Sequence, residues 1–193
     1  MRQHAKALAI RCLARVVISG VVIGSLLSEA VACGYHDDVS RARGVLNWVY
    51  PDALHVVGAI ANAVAERRLP APSFAERDPW GYQRTVRSLD QYARQLRLIA
   101  GRTQLPAFSL LLIEPMLWTR FVPDGDDLQP RVHVPGPESG DLVLISGEDV
   151  VREIANDRLT ISEAHRLGLF RLYGTEDQVT LFLALDRAHG HSD

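Results

Sequence analysis

The spacing of apolar residues changes near Gly101, and this change constrains the fold more than any other feature. Before it, apolar residues recur every three or four positions, which is typical of one buried helix face. Beyond it, the segment from Leu128 to Val134 alternates apolar and polar residues, which is typical of a half-buried strand. The sequence therefore predicts helices first and a sheet afterwards.

Two helices are predicted before Gly101. The buried face of the first is predicted to comprise Leu54, Val57, Ile60, Ala61 and Val64. The second begins near Tyr82, and its inward residues are Val86, Leu89, Ala93 and Leu96. Pro70, Pro72 and Pro79 lie between the helices and predict a linker that is not helical throughout.

Four strand segments and three helix starts are predicted after Gly101. The segment from Phe108 to Phe121 breaks at Glu114-Pro115 and forms either two short strands or one bulged edge strand. Strands follow over 128–134, 141–145 and 169–173, separated by turns or helices. The helix starts pair a hydroxyl with a residue three positions on, which is typical of side-chain caps. These pairs are Ser146 with Asp149, Thr160 with Glu163, and Thr175 with Gln178.

This order of elements predicts an α+β fold. Its small antiparallel sheet is covered by helices on one face and preceded by two leader helices. A chain of 193 residues, 47% of them hydrophobic, is long enough for one such core.

Residues 1–32 are predicted to be an export signal. Arg2, Lys6, Arg11 and Arg15 precede an apolar stretch from Val16 to Leu27, which is short for a membrane span. Cleavage after Ala32 would remove four basic residues and one acidic residue, which changes the net charge from −2 to −5. That balance disfavours a nucleic-acid partner. The predicted organisation is a signal over 1–32, a helical leader and Pro-rich linker over 33–80, and an α+β domain over 81–193.

Cys33 would become the first residue of the exported chain, and its fate is left open. The residues before it partly resemble a bacterial lipoprotein box, in which the cysteine is acylated, although Ala30 stands where leucine is usual. The alternative is cleavage that releases a soluble periplasmic protein. Cys33 and His36 together can ligate copper or zinc, but a solvated leader is the favoured explanation, because only one cysteine and one histidine lie close together. Cys12 leaves with the signal, so no disulfide is predicted within the exported chain.

The C-terminal half resembles a sterol carrier protein domain. The resemblance covers residues 86 to 187 and lies in the strand Asp141–Ile145, the helix with Val150, Val151 and Ile154, the step at Gly168 before Leu169–Gly174, and the last helix with Leu181 and Leu185. It implies a small sheet with helices around an apolar tunnel for lipid-like ligands, and no chemistry. The tunnel-lining residues that we predict are Trp118, Phe121, Phe170, Leu172 and Phe182, although an ordinary hydrophobic core uses the same residue types.

The sequence predicts neither an enzyme nor a cofactor. It has no nucleophile elbow, no paired histidines at helical spacing and no glycine-rich phosphate loop. Two hypotheses remain. One is an exported carrier of a hydrophobic small molecule or lipid, and the other is an envelope accessory protein that binds a larger complex and has no ligand. An exposed apolar face between Gly44 and Val64 would favour the second.

Overall fold

The computed structural model describes Leu46, residues 49–71 and residues 79–185, all within one compact unit of the chain. The elements in chain order are α1 (Ala53–Ala65), α2 (Pro79–Ala100), β1 (Phe108–Leu112), β2 (Leu117–Asp124), β3 (Asp127–Val132), β4 (Leu142–Ser146), α3 (Glu148–Ala155), α4 (Ile161–Arg166), β5 (Phe170–Tyr173) and α5 (Glu176–Leu183). The predicted α+β class is confirmed. The predicted signal, Cys33 and His36 lie outside the described residues, and the predicted domain limits stay predictions.

The five strands form one sheet in the order β3-β2-β1-β4-β5. Three of its neighbouring pairs are antiparallel, whereas β1 and β4 run parallel. The sheet is therefore mixed, and not wholly antiparallel as predicted. Every residue of β1 and β4 is buried, which is usual for parallel strands because both of their faces are covered.

Helices cover both faces of the sheet, and not one face as predicted. The first face, with Leu110 and Leu144, packs against α2, α3, α4 and α5 in the larger core. The second face, with Leu111 and Ile145, packs against Val56 of α1 in a smaller core. Since successive strand residues point to opposite faces, two cores separated by the sheet follow directly from the pleat.

The buried face of α1 differs from the predicted one. Ala53, Val56 and Ala63 are buried, whereas Leu54 is 62% exposed and Val57 is 46% exposed. Nearly all residues of α1 are apolar, so two stripes have helical spacing and the pattern alone does not choose between them. The sheet selects the stripe with the smaller side chains.

The second helix follows its prediction closely. Its inward residues Leu89, Ala93 and Leu96 are buried, and Val86 is half-buried. Gly101 ends the helix with φ +55°, a left-handed conformation that glycine adopts freely. Pro79 is the first helical residue, where its missing N–H costs nothing.

Two of the three predicted caps are present. The Thr160 hydroxyl accepts from the Glu163 N–H, and Thr175 forms a complete capping box with Gln178. The first helix start is different, because Gly147 is the N-cap of α3 and provides no side-chain bond. The Ser146 hydroxyl instead donates to the carbonyl of Leu169 at 3.0 Å, which ties the end of β4 to the start of β5.

The segment from Phe108 to Phe121 forms two strands, as one of the two alternatives predicted. They pair as an antiparallel hairpin, with Phe108 opposite Phe121 and Leu112 opposite Leu117. β1 is the central strand of the sheet and not an edge strand. In the described part of the chain, no helix is long and apolar enough to cross a membrane.

Candidate ligand-binding site

A row of aromatic rings crosses the larger core. Phe108 stacks on Phe121 with 4.7 Å between ring centroids, and Phe121 meets Tyr92 of α2 edge to face at 5.7 Å. On the other side, Phe108 meets Phe182 of α5 at 5.7 Å, and Phe182 meets Phe170 of β5 at 6.3 Å. We call Tyr92, Phe121, Phe108, Phe182 and Phe170 the aromatic row. All five are buried.

Strand register explains how the row forms. Phe108 and Phe121 are directly opposite each other in the β1–β2 hairpin, so their side chains share one face. Phe170 pairs with Ser146 at the far edge of the sheet, and Phe182 of α5 lies between it and Phe108. The row therefore links the centre of the sheet to its β5 edge through one helix residue.

A small hollow lies beneath α5, next to the aromatic row. Its volume is about 10 Å³, roughly the smallest space that admits one water molecule. The residues that line it are Leu105, Pro106, Phe108, Leu142, Gln178, Leu181 and Phe182. As it stands, the hollow does not admit an alkyl chain, so the tunnel predicted from the sequence stays a prediction.

The helix above the hollow, α5, is held by few contacts. Phe182 is its only buried residue. At its start, the Gln178 amide donates to the carbonyl of Gly140 at 2.8 Å and accepts from the Thr175 N–H. A methyl group on Gly174 would lie 2.8 Å from the side-chain ends of both Gln178 and Leu142, so a larger residue there would require these two side chains to shift. Polar contacts therefore hold the start of α5, and the packing of Phe182, Leu183 and Leu185 against the larger core holds its end.

Four of the five predicted lining residues come together here. Phe121, Phe170 and Phe182 belong to the aromatic row, and Leu172 packs half-buried against the same core. Trp118 lies instead on the opposite face, where its ring is 6.1 Å from that of Tyr50. Three positions separate Trp118 from Phe121, and in a strand an odd separation places two side chains on opposite faces.

Tyr92 and Phe108 are members of the row that the sequence prediction omitted. Phe108 was predicted as the first residue of a strand segment, but its pairing with Phe121 across the hairpin was not predicted. The inward position of Tyr92 could have been predicted, because Tyr92 lies three positions after the predicted inward residue Leu89. Both residues follow the same periodicities that located their neighbours.

One buried polar atom lies in the same core. The Thr119 side chain is fully buried on the face that carries Phe121, and its hydroxyl finds no hydrogen-bond partner among the described residues. An unpaired buried hydroxyl costs about 1 to 3 kcal/mol. It is a polar group to which the oxygen of an apolar ligand can hydrogen bond.

Three carboxylates lie near the start of α3. The Glu114 carboxylate accepts from the Glu148 N–H at 3.0 Å, and the Thr85 hydroxyl donates to the Glu148 carboxylate at 2.6 Å. Burial raises the pKa of Glu114, and the charges of Asp149 and Glu148 add to the rise. Among the described residues, no group of three histidine, cysteine or acidic side chains is arranged to hold a metal ion. These carboxylates lie at the N-terminus of α3, where negative charge offsets the helix dipole.

Comparison with known proteins gives few matches. No family model matches the chain, and no curated protein matches it. Solved structures that are similar include the inverting sec-alkylsulfatase Pisa1 from a Pseudomonas species, with 16% identity and a TM-score of 0.34 over 41% of this chain and 12% of that chain. A double mutant of this sulfatase matches with 16% identity and a TM-score of 0.38, over 56% of this chain and 16% of that one.

The third similar structure is the sterol carrier protein 2 like 2 protein from Aedes aegypti. It has 16% identity and a TM-score of 0.35, and the match covers 49% of this chain and 93% of that chain. The resemblance to sterol carrier proteins noted in the sequence therefore recurs among solved structures. The α+β fold of this chain is defined by its own strand pairing and core packing.

Proposed function

We propose that this protein is a non-catalytic binding protein for a hydrophobic small molecule, such as a lipid, which it holds between the sheet and α5. One observation carries the proposal. The aromatic row passes a hollow that is lined by Phe108 and Phe182, and the short helix above the hollow buries a single residue, Phe182. Displacing that one ring would join the hollow to the space that the ring now fills.

The energetics of this opening require a long ligand. Removing an aromatic ring from a core costs about 3 to 5 kcal/mol. Each methylene group that leaves water contributes about 0.8 kcal/mol, so an alkyl chain of roughly ten methylenes supplies about 8 kcal/mol. A chain of four methylenes supplies only about 3 kcal/mol and would not open the site. Affinity should therefore depend steeply on chain length.

We also propose that residues 1–32 direct export of the protein to the bacterial periplasm, where it would bind its ligand. Cleavage before Cys33 would leave the protein either free in that compartment or attached to the membrane through acylation of Cys33. In both cases the described residues would meet hydrophobic molecules of the cell envelope.

A second candidate function is an accessory protein without a ligand. The small volume of the hollow favours this function, because about 10 Å³ leaves no space for a ligand between the protein's own side chains. The exposed Leu54 and Val57 of α1 favour it as well, since a partner protein could cover them. The two candidates differ in whether saturable ligand binding occurs.

A binding titration tests the proposal. Unbranched fatty acids with about 4 to about 16 carbons would compete against a fluorescent fatty acid for the purified protein. We expect saturable binding of one molecule by long chains and none by the shortest. Failure of every chain length to bind would refute the carrier and leave the accessory protein.

A further inference from the structure

A second cleft, of about 550 Å³, lies between α1 and the segment that joins α4 to β5. Its volume falls in the range usual for small-molecule sites. The polar residues that line it are His55, Asn62, His165, Arg166 and Arg171. No aspartate or glutamate lines it, although acidic residues outnumber basic ones in the whole sequence. We call it the basic cleft.

Arg171 is the central cation of the basic cleft. It is half-buried, and its Nη1 donates to the carbonyl of Phe170 at 3.2 Å. A methyl group on Gly168 would lie 3.6 Å from that Nη1, so the guanidinium lies against bare backbone. Among the described residues Arg171 forms no ion pair, and most of its donors are therefore available to an anion.

Arg166 adds a second charge that is only weakly engaged. Its Nη2 is 3.7 Å from Glu163, and both side chains are largely exposed. An exposed ion pair of this kind contributes little to stability, so Arg166 can leave Glu163 and bind another anion at low cost. The imidazoles of His55 and His165 add hydrogen-bond donors to the same lining.

Exposed apolar side chains lie beside these cations. Leu54 lines the basic cleft and is 62% exposed, and Val57, one turn later on α1, is 46% exposed. Large apolar side chains next to arginines are typical of surfaces that rest in the headgroup region of a membrane.

We propose that the basic cleft and the outer face of α1 bind the surface of an anionic lipid bilayer. Arg166 and Arg171 contact lipid phosphates, while Leu54 and Val57 enter the interface. Charge complementarity selects this occupant, because the cleft lining contains two arginines and no carboxylate, the neighbouring Glu163 pairs only loosely with Arg166, and the adjacent surface is apolar. The proposal concerns a surface outside the aromatic row, so it does not depend on ligand binding beneath α5.

Vesicle sedimentation tests the proposal. The purified chain would be mixed with vesicles of phosphatidylcholine alone, or with about one-third phosphatidylglycerol added. We expect binding only to the anionic vesicles, weakened by salt. Each arginine near the surface contributes about a fivefold gain in affinity, so R166Q should weaken binding about fivefold and R166Q/R171Q about 25-fold. Leu54→Ser should weaken it as well.

The matched control is R102Q, because Arg102 is exposed and lies outside the basic cleft. It should bind like the unchanged protein. Since R171Q can disturb folding, thermal melts accompany each variant, and R166Q at an exposed position decides the result alone. Equal binding to neutral vesicles, or unchanged binding by R166Q, would overturn the proposal. Complete competition by millimolar inorganic phosphate would overturn it in favour of a site for soluble phosphate.

Discussion

Arg120 of β2 holds Asp141, the residue before β4, through two hydrogen bonds of 2.9 and 3.1 Å. The same carboxylate accepts from the Ser109 hydroxyl of β1 at 2.8 Å and from the Glu138 N–H at 3.2 Å. The side chains of Arg120 and Asp141 are 16% and 5% exposed. Because β1 lies between β2 and β4, this one carboxylate links three neighbouring strands.

Asp141→Asn should destabilise the fold. The change removes the buried one of the two carboxylates that pair with Arg120, because Glu138, at 2.9 Å from the guanidinium, is 64% exposed. Losing a buried partner costs up to about 3 kcal/mol. Urea unfolding measures the loss. Asp126→Asn is the matched control, because Asp126 is exposed on the β2–β3 turn and a surface change of this kind stays within about 0.5 kcal/mol. Equal effects of the two changes would contradict the structural role of Asp141.

The pairing of Arg120 with Asp141 predicts that the free energy of unfolding falls at acid pH. Burial raises the pKa of Asp141, but hydrogen bonds from Arg120, Ser109 and the Glu138 N–H outweigh burial, so the net pKa lies below its usual value of 3.8. A carboxyl whose pKa is lowered by folding stabilises the fold above 3.8 and loses that contribution as pH falls through the folded pKa. Unfolding free energies of Asp141→Asn should fall less steeply below pH 3.8 than those of the unchanged protein. Parallel curves would show that Asp141 is not the group responsible.

Two buried threonines should respond in opposite directions to the same change. Thr119→Val removes a hydroxyl that has no partner and should raise the unfolding free energy by about 1 kcal/mol. Thr85→Val removes a donor to the Glu148 carboxylate and should lower it by about 2 kcal/mol. Both side chains are fully buried, so each variant is the other's control. Destabilisation by Thr119→Val would show that its hydroxyl is satisfied in solution.

Tyr173 links the last strand to the start of α1. Its hydroxyl donates to Asp52 at 3.1 Å, and burial, the hydrogen bond to Asp52 and the charge of Asp52 together raise the pKa of Tyr173 to about 12. A tyrosine whose pKa is raised from 10.0 stabilises the fold below pH 10 and loses that contribution as pH rises towards 12. Tyr173→Phe should cost about 1 kcal/mol at neutral pH and remove this part of the alkaline decline.

Phenolate absorbance measures the tyrosine directly. The difference between the titrations of the unchanged protein and Tyr173→Phe should show one group with a midpoint near 12. Asp52→Asn should move that midpoint down, because it removes the neighbouring negative charge. A midpoint that Asp52→Asn leaves in place would argue against the contact between the two residues.

Phe182→Ala should open the hollow. It should lower stability by about 3 kcal/mol, as expected for a buried phenylalanine, and tighten binding of a long fatty acid because no ring needs displacing. Leu89→Ala is the matched control, since Leu89 is fully buried in α2 outside the hollow lining. It should cost similar stability without a gain in affinity. Tighter binding by both variants would mean that general loosening, and not the hollow, admits the ligand.

Much of the fold follows from sequence because most segments obey a single periodicity. The face of α2 that holds Leu89, Ala93 and Leu96 had only one apolar stripe, so its orientation could be predicted. In α1 both Leu54 and Val56 lie on apolar stripes, and only the shape of the sheet decides between them. The parallel pairing of β1 with β4 joins distant segments, and the one sign of it was that each strand is apolar except for a single serine, Ser109 or Ser146.

Part of the candidate site could be predicted from the sequence. Phe170 and Phe182 were predicted as lining residues from their aromatic type, and both belong to the aromatic row. Trp118 was grouped with them by residue type, although strand alternation already separated it from Phe121. Arg171 was not predicted as a site residue. Its environment depends on how closely α1 approaches Gly168, and this distance between segments far apart in the chain cannot be inferred from local sequence patterns.

Native mass spectrometry of the protein purified from its own cells tests ligand carriage most directly. We predict a mass above that of the polypeptide by one hydrophobic small molecule, which is released when the protein is denatured, whereas acyl chains on Cys33 would remain attached. A ligand-free mass accompanied by a stoichiometric protein partner would contradict carriage and support the accessory protein.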